Sequence, residues 1–211
     1  MLLTRESLLQ GTHMIKKDMS IFDPELTEEG KIETEYNCKA IENENFEVIF
    51  VSPLTRTLQT AEIISKKTKT AKIIVLEMIR EGLNKNQANK RRNLSELKQK
   101  FPSFDFSLIT DDTDTLYGSE YKEKLIDEIE IVQKRAHSFH QYILSRKENN
   151  FLVVSHSGFI RNFINSIVLG LSKYYGIVCP KVSKFISIEY DTEKQFYRCN
   201  KKFSISILNK I

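Results

Sequence analysis

Three short stretches of the chain are almost continuously apolar, which is the pattern of strands buried on both faces of a sheet. They cover residues 47–51, 72–76 and 151–155. Two stretches near the carboxyl end, residues 185–190 and 203–208, alternate instead between apolar and polar positions. Alternation of this kind predicts a less buried hairpin at the edge of the sheet.

Between these runs the apolar residues recur at the spacing of amphipathic helices. The predicted helices cover residues 26–41, 56–66, 93–100, 120–146 and 158–171. Because strands alternate with helices, the sequence predicts an α/β fold, a three-layer α/β/α sandwich with a mainly parallel central sheet. The chain has neither a repeat nor a linker, so residues 1–211 are predicted to form one domain, with residues 82–120 as a lid or insertion over the site.

Composition narrows the class of protein. A chain of 211 residues with 40% hydrophobic content suits one sizeable domain. Lys and Arg are interspersed with Asp and Glu, and the net charge is only +4, so no basic face for nucleic acid is expected. No apolar run approaches the roughly 18 residues of a membrane helix. The amino terminus does not resemble a signal peptide. The three cysteines are too scattered for a disulfide framework or a metal site. We therefore expect a reduced, cytoplasmic protein; whether it forms a homodimer stays open.

Ligands of parallel α/β sheets bind at the carboxyl ends of the strands, and two residues with suitable chemistry lie there. Arg56 lies in the first turn of the helix that follows the first strand, where free N–H groups and a guanidinium can bind an anion. His156 directly follows the strand 151–155. Taken alone, Arg56 would more commonly pair with a surface carboxylate and His156 would be structural. Two such residues facing one crevice favour an anion site.

The segments around these residues resemble a known family. SPLTRTLQTA and VVSHSGFIRN are similar to the second and fourth signature segments of the histidine phosphatase superfamily. DPELTEEG resembles the segment that opens its first helix, and MIREGL the segment that supplies a general acid. NKRR, followed by FPSFDFSLITDDTD, is similar to the phosphoglycerate mutase-like branch. The motifs occur in the family's order between about Asp23 and Asn165.

The resemblance implies a two-step reaction on a small phosphomonoester, in which a histidine attacks phosphorus and the phosphoryl group then passes to water or another acceptor. Arg56 and His156 are implied to hold the phosphoryl oxygens, and Glu81 to protonate the leaving group. Arg91 and Arg92 are candidates for contacting the distal part of the substrate. Neither a metal nor a cofactor is implied, since fixed cations supply the electrostatic stabilisation.

The first motif departs from the family, which has Arg-His-Gly or Arg-His-Ala at the end of its first strand. In the branch resembled here the motif continues as Gln-Gly-x-His, which Gln10, Gly11 and His13 match. A gapless alignment on these residues places Ser7 at the arginine and Leu8 at the nucleophile. A two-residue insertion places Arg5 at the phosphate-binding arginine and Glu6 at the nucleophile. His13 is a candidate for binding phosphate and is near enough to the site to be considered as the nucleophile. However, the family places a different, non-nucleophilic histidine at this position. Neither alignment supplies the nucleophilic histidine.

Three explanations follow, in order of preference: a pseudoenzyme or crippled phosphatase that keeps its phosphate pocket, a first segment wrongly read from the gene, and altered chemistry with Glu6 or His13. The second is considered because only four residues precede Arg5, fewer than a buried strand usually has. The leading hypothesis is a phosphoglycerate mutase-like protein that binds a phosphomonoester and has weak or absent catalysis. A non-catalytic scaffold or regulatory module of the same fold, an active phosphatase with a misread first segment and an unrelated α/β protein are the alternatives. Whether the chain is an enzyme stays open.

Overall fold

The computed structural model describes residues 21–69, 72–82, 86–117, 128–168, 184–191 and 196–206. Its central element is a three-stranded parallel sheet. The strands are β1 (Val48–Val51), β2 (Ile73–Val75) and β3 (Phe151–Val154), in the order β2-β1-β3. Each lies within one of the three continuous apolar runs, so the predicted strands are confirmed to within one residue at either end.

The strand order determines where a ligand can enter. Ile49 of β1 lies opposite Ile73 of β2 on one side and opposite Leu152 of β3 on the other. The chain therefore continues from β1 to one neighbour and later returns to the opposite side of β1. Such a reversal opens a crevice beyond the carboxyl ends of the two strands involved, here the ends of β1 and β3.

Five helices surround the sheet within the described part of the chain. They are α1 (Glu28–Cys38), α2 (Thr55–Lys67), α3 (Leu94–Lys100), α4 (Glu128–Leu144) and α5 (Ser157–Val168), with 3-10 turns at Glu77–Ile79 and Gln87–Asn89. The predicted helices are confirmed in place, although α1 is shorter at both ends. It begins after Thr27 because the Thr27 hydroxyl accepts a hydrogen bond from the Gly30 N–H at 3.1 Å, a normal N-cap. Residues 120–127 and 169–171 of the predicted helices lie outside the described residues.

Helices cover both faces of the sheet, which confirms the predicted three layers. Ile49 and Val51 face a buried cluster that includes side chains of α2 and α3. Val48 and Phe50 point to the opposite face, where the buried cluster includes residues of α4 and α5. Because both faces of β1 are covered by apolar side chains, an uninterrupted apolar sequence is what this strand requires.

The described part of the predicted lid, residues 86–117, contributes to the core. Phe101, Phe104 and Phe106 are buried in the same cluster as α2. Asp105 adds one parallel bridge to β2, since its N–H donates to the Ile73 carbonyl at 2.8 Å and its carbonyl accepts from the Val75 N–H at 2.9 Å. This part of the chain thus extends the sheet and one layer of the core, and movement of residues 82–120 over the site stays a prediction.

The carboxyl-terminal hairpin is confirmed with a longer second strand. β4 (Lys184–Asp191) pairs antiparallel with β5 (Phe196–Ser206), whereas the sequence placed the second strand at 203–208. Among the described strands these two pair only with each other, so the expected position at the edge of the central sheet is not found there. Within the described residues, no helix is both long and apolar enough to cross a membrane.

Candidate anion-binding site

Arg56 lies in the first turn of α2, and its guanidinium is buried at the carboxyl end of β1. The residue is 2% exposed. Nη1 donates to the Ala88 carbonyl at 2.7 Å and Nη2 donates to Asn89 Oδ1 at 3.0 Å. Nη2 also lies 3.3 Å from Nδ1 of His156. The structure therefore brings Arg56 and His156 together, as their positions at neighbouring strand ends predict.

His156 follows β3 and is completely enclosed by the protein. Its Nε2 lies 2.8 Å from the hydroxyl of Ser52, which follows β1. Because a guanidinium can only donate, Nδ1 must accept, and the neutral ring therefore carries its proton on Nε2 and donates it to Ser52. Burial, reinforced by the positive charges of Arg56, Arg80 and Arg135, holds the pKa of His156 well below 6.5. His156 is accordingly neutral at pH 7.

Arg56 keeps its charge despite its burial. Burial lowers the pKa of Arg56 to about 10, while the carboxylates of Asp23 and Glu81 act in the opposite direction. The guanidinium is thus protonated at neutral pH. Its Nε is buried and has no hydrogen-bond partner among the described residues. The guanidinium is poorly solvated, because it is a buried cation and one of its donors is unused. An anion beside it would supply both an opposite charge and an acceptor.

Glu81 lies between the first 3-10 turn and the amino terminus of α5. Its Oε1 accepts a hydrogen bond from the Gly82 N–H at 3.0 Å, and its Oε2 accepts from the Gly158 N–H at 3.3 Å. The amino-terminal end of a helix favours a negative charge, because its first N–H groups lack partners within the helix. Glu81 is therefore held at the start of α5 by Gly158, two residues after His156, and its charge acts on the guanidinium of Arg56.

Gly158 permits this placement because it has no side chain. A Cβ at this position would overlap Oε1 of Glu81. We predict that Gly158→Ala folds with a free energy of unfolding within about 1 kcal/mol of the unmutated protein, because the obstructing atom ends a flexible side chain and Ala is favoured in helices. The Glu81 carboxylate should leave the helix end, and the amide signal of Gly82 in an NMR spectrum should shift. An unchanged Gly82 signal would contradict the overlap.

Asp23 fixes the start of α2, a role that its position in the DPELTEEG motif did not predict. It is fully buried, and its carboxylate accepts from the Thr55 N–H at 2.9 Å and from the Thr55 hydroxyl at 2.6 Å. Burial raises the pKa of Asp23, although both Thr55 hydrogen bonds and the charges of Arg56 and Arg92 oppose the rise. The DPELT motif thus carries a cap for the helix that presents Arg56.

The two candidate substrate arginines differ sharply in their surroundings. Arg91 is 2% exposed, and its guanidinium has protein acceptors on all three nitrogens: Glu77, and the carbonyls of Arg92, Asp111, Asp112 and Thr113. Arg91 thereby anchors the loop 111–114 and has no spare donor in this arrangement. The Arg92 side chain is 31% exposed, so it has the more accessible charge. Its Nε lies 3.6 Å from Oδ2 of Asp23, and its Nη1 lies 3.9 Å from Oε2 of Glu96. Substrate contact by either residue stays a prediction.

Arg80 is a third buried arginine, and no sequence motif marked it as a candidate site residue. It donates to both oxygens of Asp114, at 2.8 and 2.6 Å, and to Glu77 at 2.9 Å. It also donates to the Asn89 carbonyl at 2.7 Å. Asn89 in turn donates to the Gly82 carbonyl at 2.9 Å and accepts from Arg56. Asn89 therefore connects the Arg80 ion pairs to the anion site.

Three of the candidate residues, Arg5, Glu6 and His13, lie outside the described residues, and their predicted roles remain predictions. Within the described part of the chain, no group of three or more His, Cys, Asp or Glu residues is arranged to hold a metal ion. The described site consists of Arg56, His156, Ser52, Asn89 and Glu81.

The parallel sheet with helices on both faces, and a buried charged arginine in contact with a neutral histidine at the ends of β1 and β3, define an α/β protein with a candidate anion site at its switch point. Residues 18–200 match the family model of the histidine phosphatase superfamily, branch 1. The chain belongs to this superfamily, which confirms the resemblance drawn from its motifs.

Relatives of known sequence and structure agree with this assignment. Phosphoglycerate mutase-like protein 1 of Arabidopsis thaliana is 28% identical in an alignment 177 residues long, and the alignment covers 69% of this chain and 61% of the relative. A second Arabidopsis phosphoglycerate mutase-like protein is 29% identical in an alignment 147 residues long, and the alignment covers 57% of this chain and 53% of the relative. The chain thus spans between half and two thirds of the length of these relatives.

Two solved structures share the fold at low sequence identity. A mycobacterial glucosyl-3-phosphoglycerate phosphatase in complex with inorganic phosphate superposes with a TM-score of 0.56 at 14% identity, covering 87% of this chain and 89% of that chain. A phosphoserine phosphatase of Entamoeba histolytica in complex with 3-phosphoglyceric acid gives a TM-score of 0.51 at 17% identity, covering 87% and 86%. At these identities the likeness extends to the fold alone.

Proposed function

We propose that this chain binds a phosphomonoester by its phosphoryl group, and that phosphoryl transfer or hydrolysis by the chain is weak or absent. The observation that carries the binding proposal is the guanidinium of Arg56, which is buried, charged at neutral pH and in contact with His156, with no described acceptor for its Nε–H. Phosphate oxygens are strong acceptors that match a guanidinium in geometry and charge. A phosphoryl group is thus the anion that suits this donor set.

Binding requires little rearrangement of the protein. The contact between Nη2 of Arg56 and Nδ1 of His156 is the longest that the guanidinium makes, at 3.3 Å, whereas its bonds to Ala88 and Asn89 are 2.7 and 3.0 Å. A phosphate oxygen can replace the long contact while the two shorter bonds keep the guanidinium in place, provided that His156 then carries a proton on Nδ1, because an unprotonated Nδ1 would repel the oxygen. The cost of ordering the site is then already met in the free protein, which favours affinity.

Catalysis is a separate proposal, and it depends on the first motif. Neither alignment of residues 4–14 supplies the histidine that the superfamily uses as its nucleophile. Loss of a covalent nucleophile can lower the rate on the order of 10⁶-fold. Glu81 can still protonate a leaving oxygen, but without a nucleophile the reaction would depend on direct attack by water. We therefore expect binding to persist where turnover is lost.

Two measurements test the two parts. The melting temperature of the protein should rise with orthovanadate or inorganic phosphate but not with chloride at equal ionic strength, and a ligand at 100 times its Kd should stabilise the fold by about 2.7 kcal/mol. Absence of any rise would refute the pocket. Hydrolysis of an aryl phosphate should be at the background rate. Turnover that disappears in both His156→Ala and Glu81→Gln would refute weak or absent catalysis and leave the pocket intact.

A further inference from the structure

Arg135 lies on α4, and its guanidinium contacts the main chain that carries Glu81. Nη1 donates to the Arg80 carbonyl at 2.7 Å and approaches the Met78 carbonyl at 3.4 Å. Nη2 donates to the Glu81 carbonyl at 3.1 Å. The main chain at Arg80 and Glu81 belongs to neither a helix nor a strand, so these carbonyls must find their donors elsewhere. Arg135 supplies those donors from the neighbouring helix.

The shape of the guanidinium matters for this contact. Its two terminal nitrogens are held in one plane and reach the carbonyls of two consecutive residues at once. A lysine ammonium carries the same charge but is a single point that cannot span both carbonyls in the same way. Arg135 therefore restricts the orientation of the peptide at Glu81 as well as its position.

The Glu81 side chain is held at its other end by the N–H groups of Gly82 and Gly158. With its main chain fixed by Arg135 and its carboxylate fixed at the start of α5, Glu81 has little freedom relative to the Arg56–His156 pair. We infer that Arg135 is a positioning residue for Glu81, which keeps the carboxylate at the amino-terminal end of α5. The functional meaning of this inference rests on the proposed function, in which Glu81 faces the leaving group of a phosphomonoester.

The charge of Arg135 must be separated from its geometry in any test, because that charge also contributes to keeping His156 neutral. The two terminal nitrogens that reach consecutive carbonyls are called the fork below. Arg135→Gln removes both the charge and the fork, whereas Arg135→Lys keeps the charge and removes the fork. Arg146→Gln is a matched control, since Arg146 follows the end of the same helix and pairs with Glu148 instead. Effects shared by the Gln and Lys variants and absent from the control come from the lost fork.

The amide groups of Gly82 and Gly158 report directly on the Glu81 carboxylate. The chain has seven glycines, so a protein labelled with ¹⁵N-glycine gives a simple spectrum. The Gly82 signal is assigned by its loss in Gly82→Ala. Two of the original signals disappear in Gly158→Ala, since that of Gly82 shifts there as well, and the one that is not Gly82 belongs to Gly158. Glu81→Ala gives their positions when no carboxylate is present. In Arg135→Gln and Arg135→Lys both signals should move most of the way towards those positions, and in Arg146→Gln they should stay.

The inference is overturned if both Arg135 variants melt cooperatively while the two signals remain where they are in the unmutated protein. Should Arg135→Gln fail to fold, the Lys variant alone decides. Stabilisation by vanadate is measured in parallel. If vanadate does not stabilise the unmutated protein, the proposed function is refuted, and the NMR result is unaffected. Loss of the stabilisation by vanadate in both Arg135 variants but not in Glu81→Ala would mean that Arg135 acts on the anion site and not through Glu81.

Discussion

Arg56→Ala should abolish the stabilisation of the protein by vanadate and lower its free energy of unfolding by about 3 kcal/mol. Binding is lost because the guanidinium is the central cation of the described site. Stability is lost because three buried acceptors, the Ala88 carbonyl, Asn89 Oδ1 and His156 Nδ1, each lose a donor. Urea denaturation with and without vanadate measures both effects on the same samples.

A surface arginine provides the control for this experiment. Arg146→Ala removes a guanidinium that pairs with Glu148 outside the site, so its stabilisation by vanadate should equal that of the unmutated protein. If Arg56→Ala folds and is stabilised by vanadate to the same extent as Arg146→Ala, the anion binds elsewhere and Arg56 is a structural residue only.

The sequence was sufficient to predict the sheet and the proximity of Arg56 and His156, and the reason is geometric. Strands of a parallel sheet end at one edge, so residues that follow two apolar runs must lie near each other if those strands are neighbours. Arg56 and His156 are 100 residues apart in the chain and yet in contact. No side-chain detail was needed for that prediction, because it depends only on the strand runs and on the adjacency of β1 and β3, which the structure shows.

The sequence could not distinguish the roles of the arginines. Lys90-Arg91-Arg92 is a short basic run, which suggests solvent exposure and anion binding, but Arg91 is turned inward. Arg80 shows no such signal, and yet it is fully buried against Asp114, 34 residues later in the chain. The burial of a guanidinium depends on acceptors supplied by distant loops, and neither periodicity nor local composition encodes those partners.

The structure also changes what the retained residues mean. Arg56 follows β1 and contacts both the second 3-10 turn and His156, which follows β3. A chain without catalysis would therefore still need both residues for stability. Glu81 differs, because the residue is only partly buried and, among the described residues, its carboxylate accepts only from backbone N–H groups. Among the three residues, Glu81 is therefore the one whose retention points most directly to chemistry.

Asp114→Asn should lower the free energy of unfolding by about 3–5 kcal/mol at pH 7, because it leaves Arg80 buried without its bidentate partner. Both side chains of this ion pair are 0% exposed. Burial by itself would raise the pKa of Asp114, but the hydrogen bonds and charge of Arg80, together with the N–H groups of Arg91 and Tyr117, hold that pKa below 3.8. The carboxylate is thus ionised at neutral pH and stabilises the fold.

The pH dependence of this effect has a definite sign. A carboxyl group with a lowered pKa in the folded state stabilises the fold fully above its unfolded pKa, and that contribution is lost as the pH falls through the folded pKa. The difference in stability between Asp114→Asn and the unmutated protein should therefore be constant from pH 7 to about pH 5 and shrink below about pH 4. Urea denaturation across this range measures it.

Asp111→Asn is the matched control, because Asp111 is exposed and, within the described part of the chain, its carboxylate accepts only from the Thr115 hydroxyl, at 3.3 Å. Its cost at pH 7 should be within about 0.5 kcal/mol. Equal effects of the two variants, or a cost of Asp114→Asn that grows on acidification, would mean that the Arg80–Asp114 pair does not stabilise the fold. A large cost confined to Asp114 would instead identify this pair as the anchor of residues 77–114, the segment that supplies Glu81 and Asn89 to the anion site.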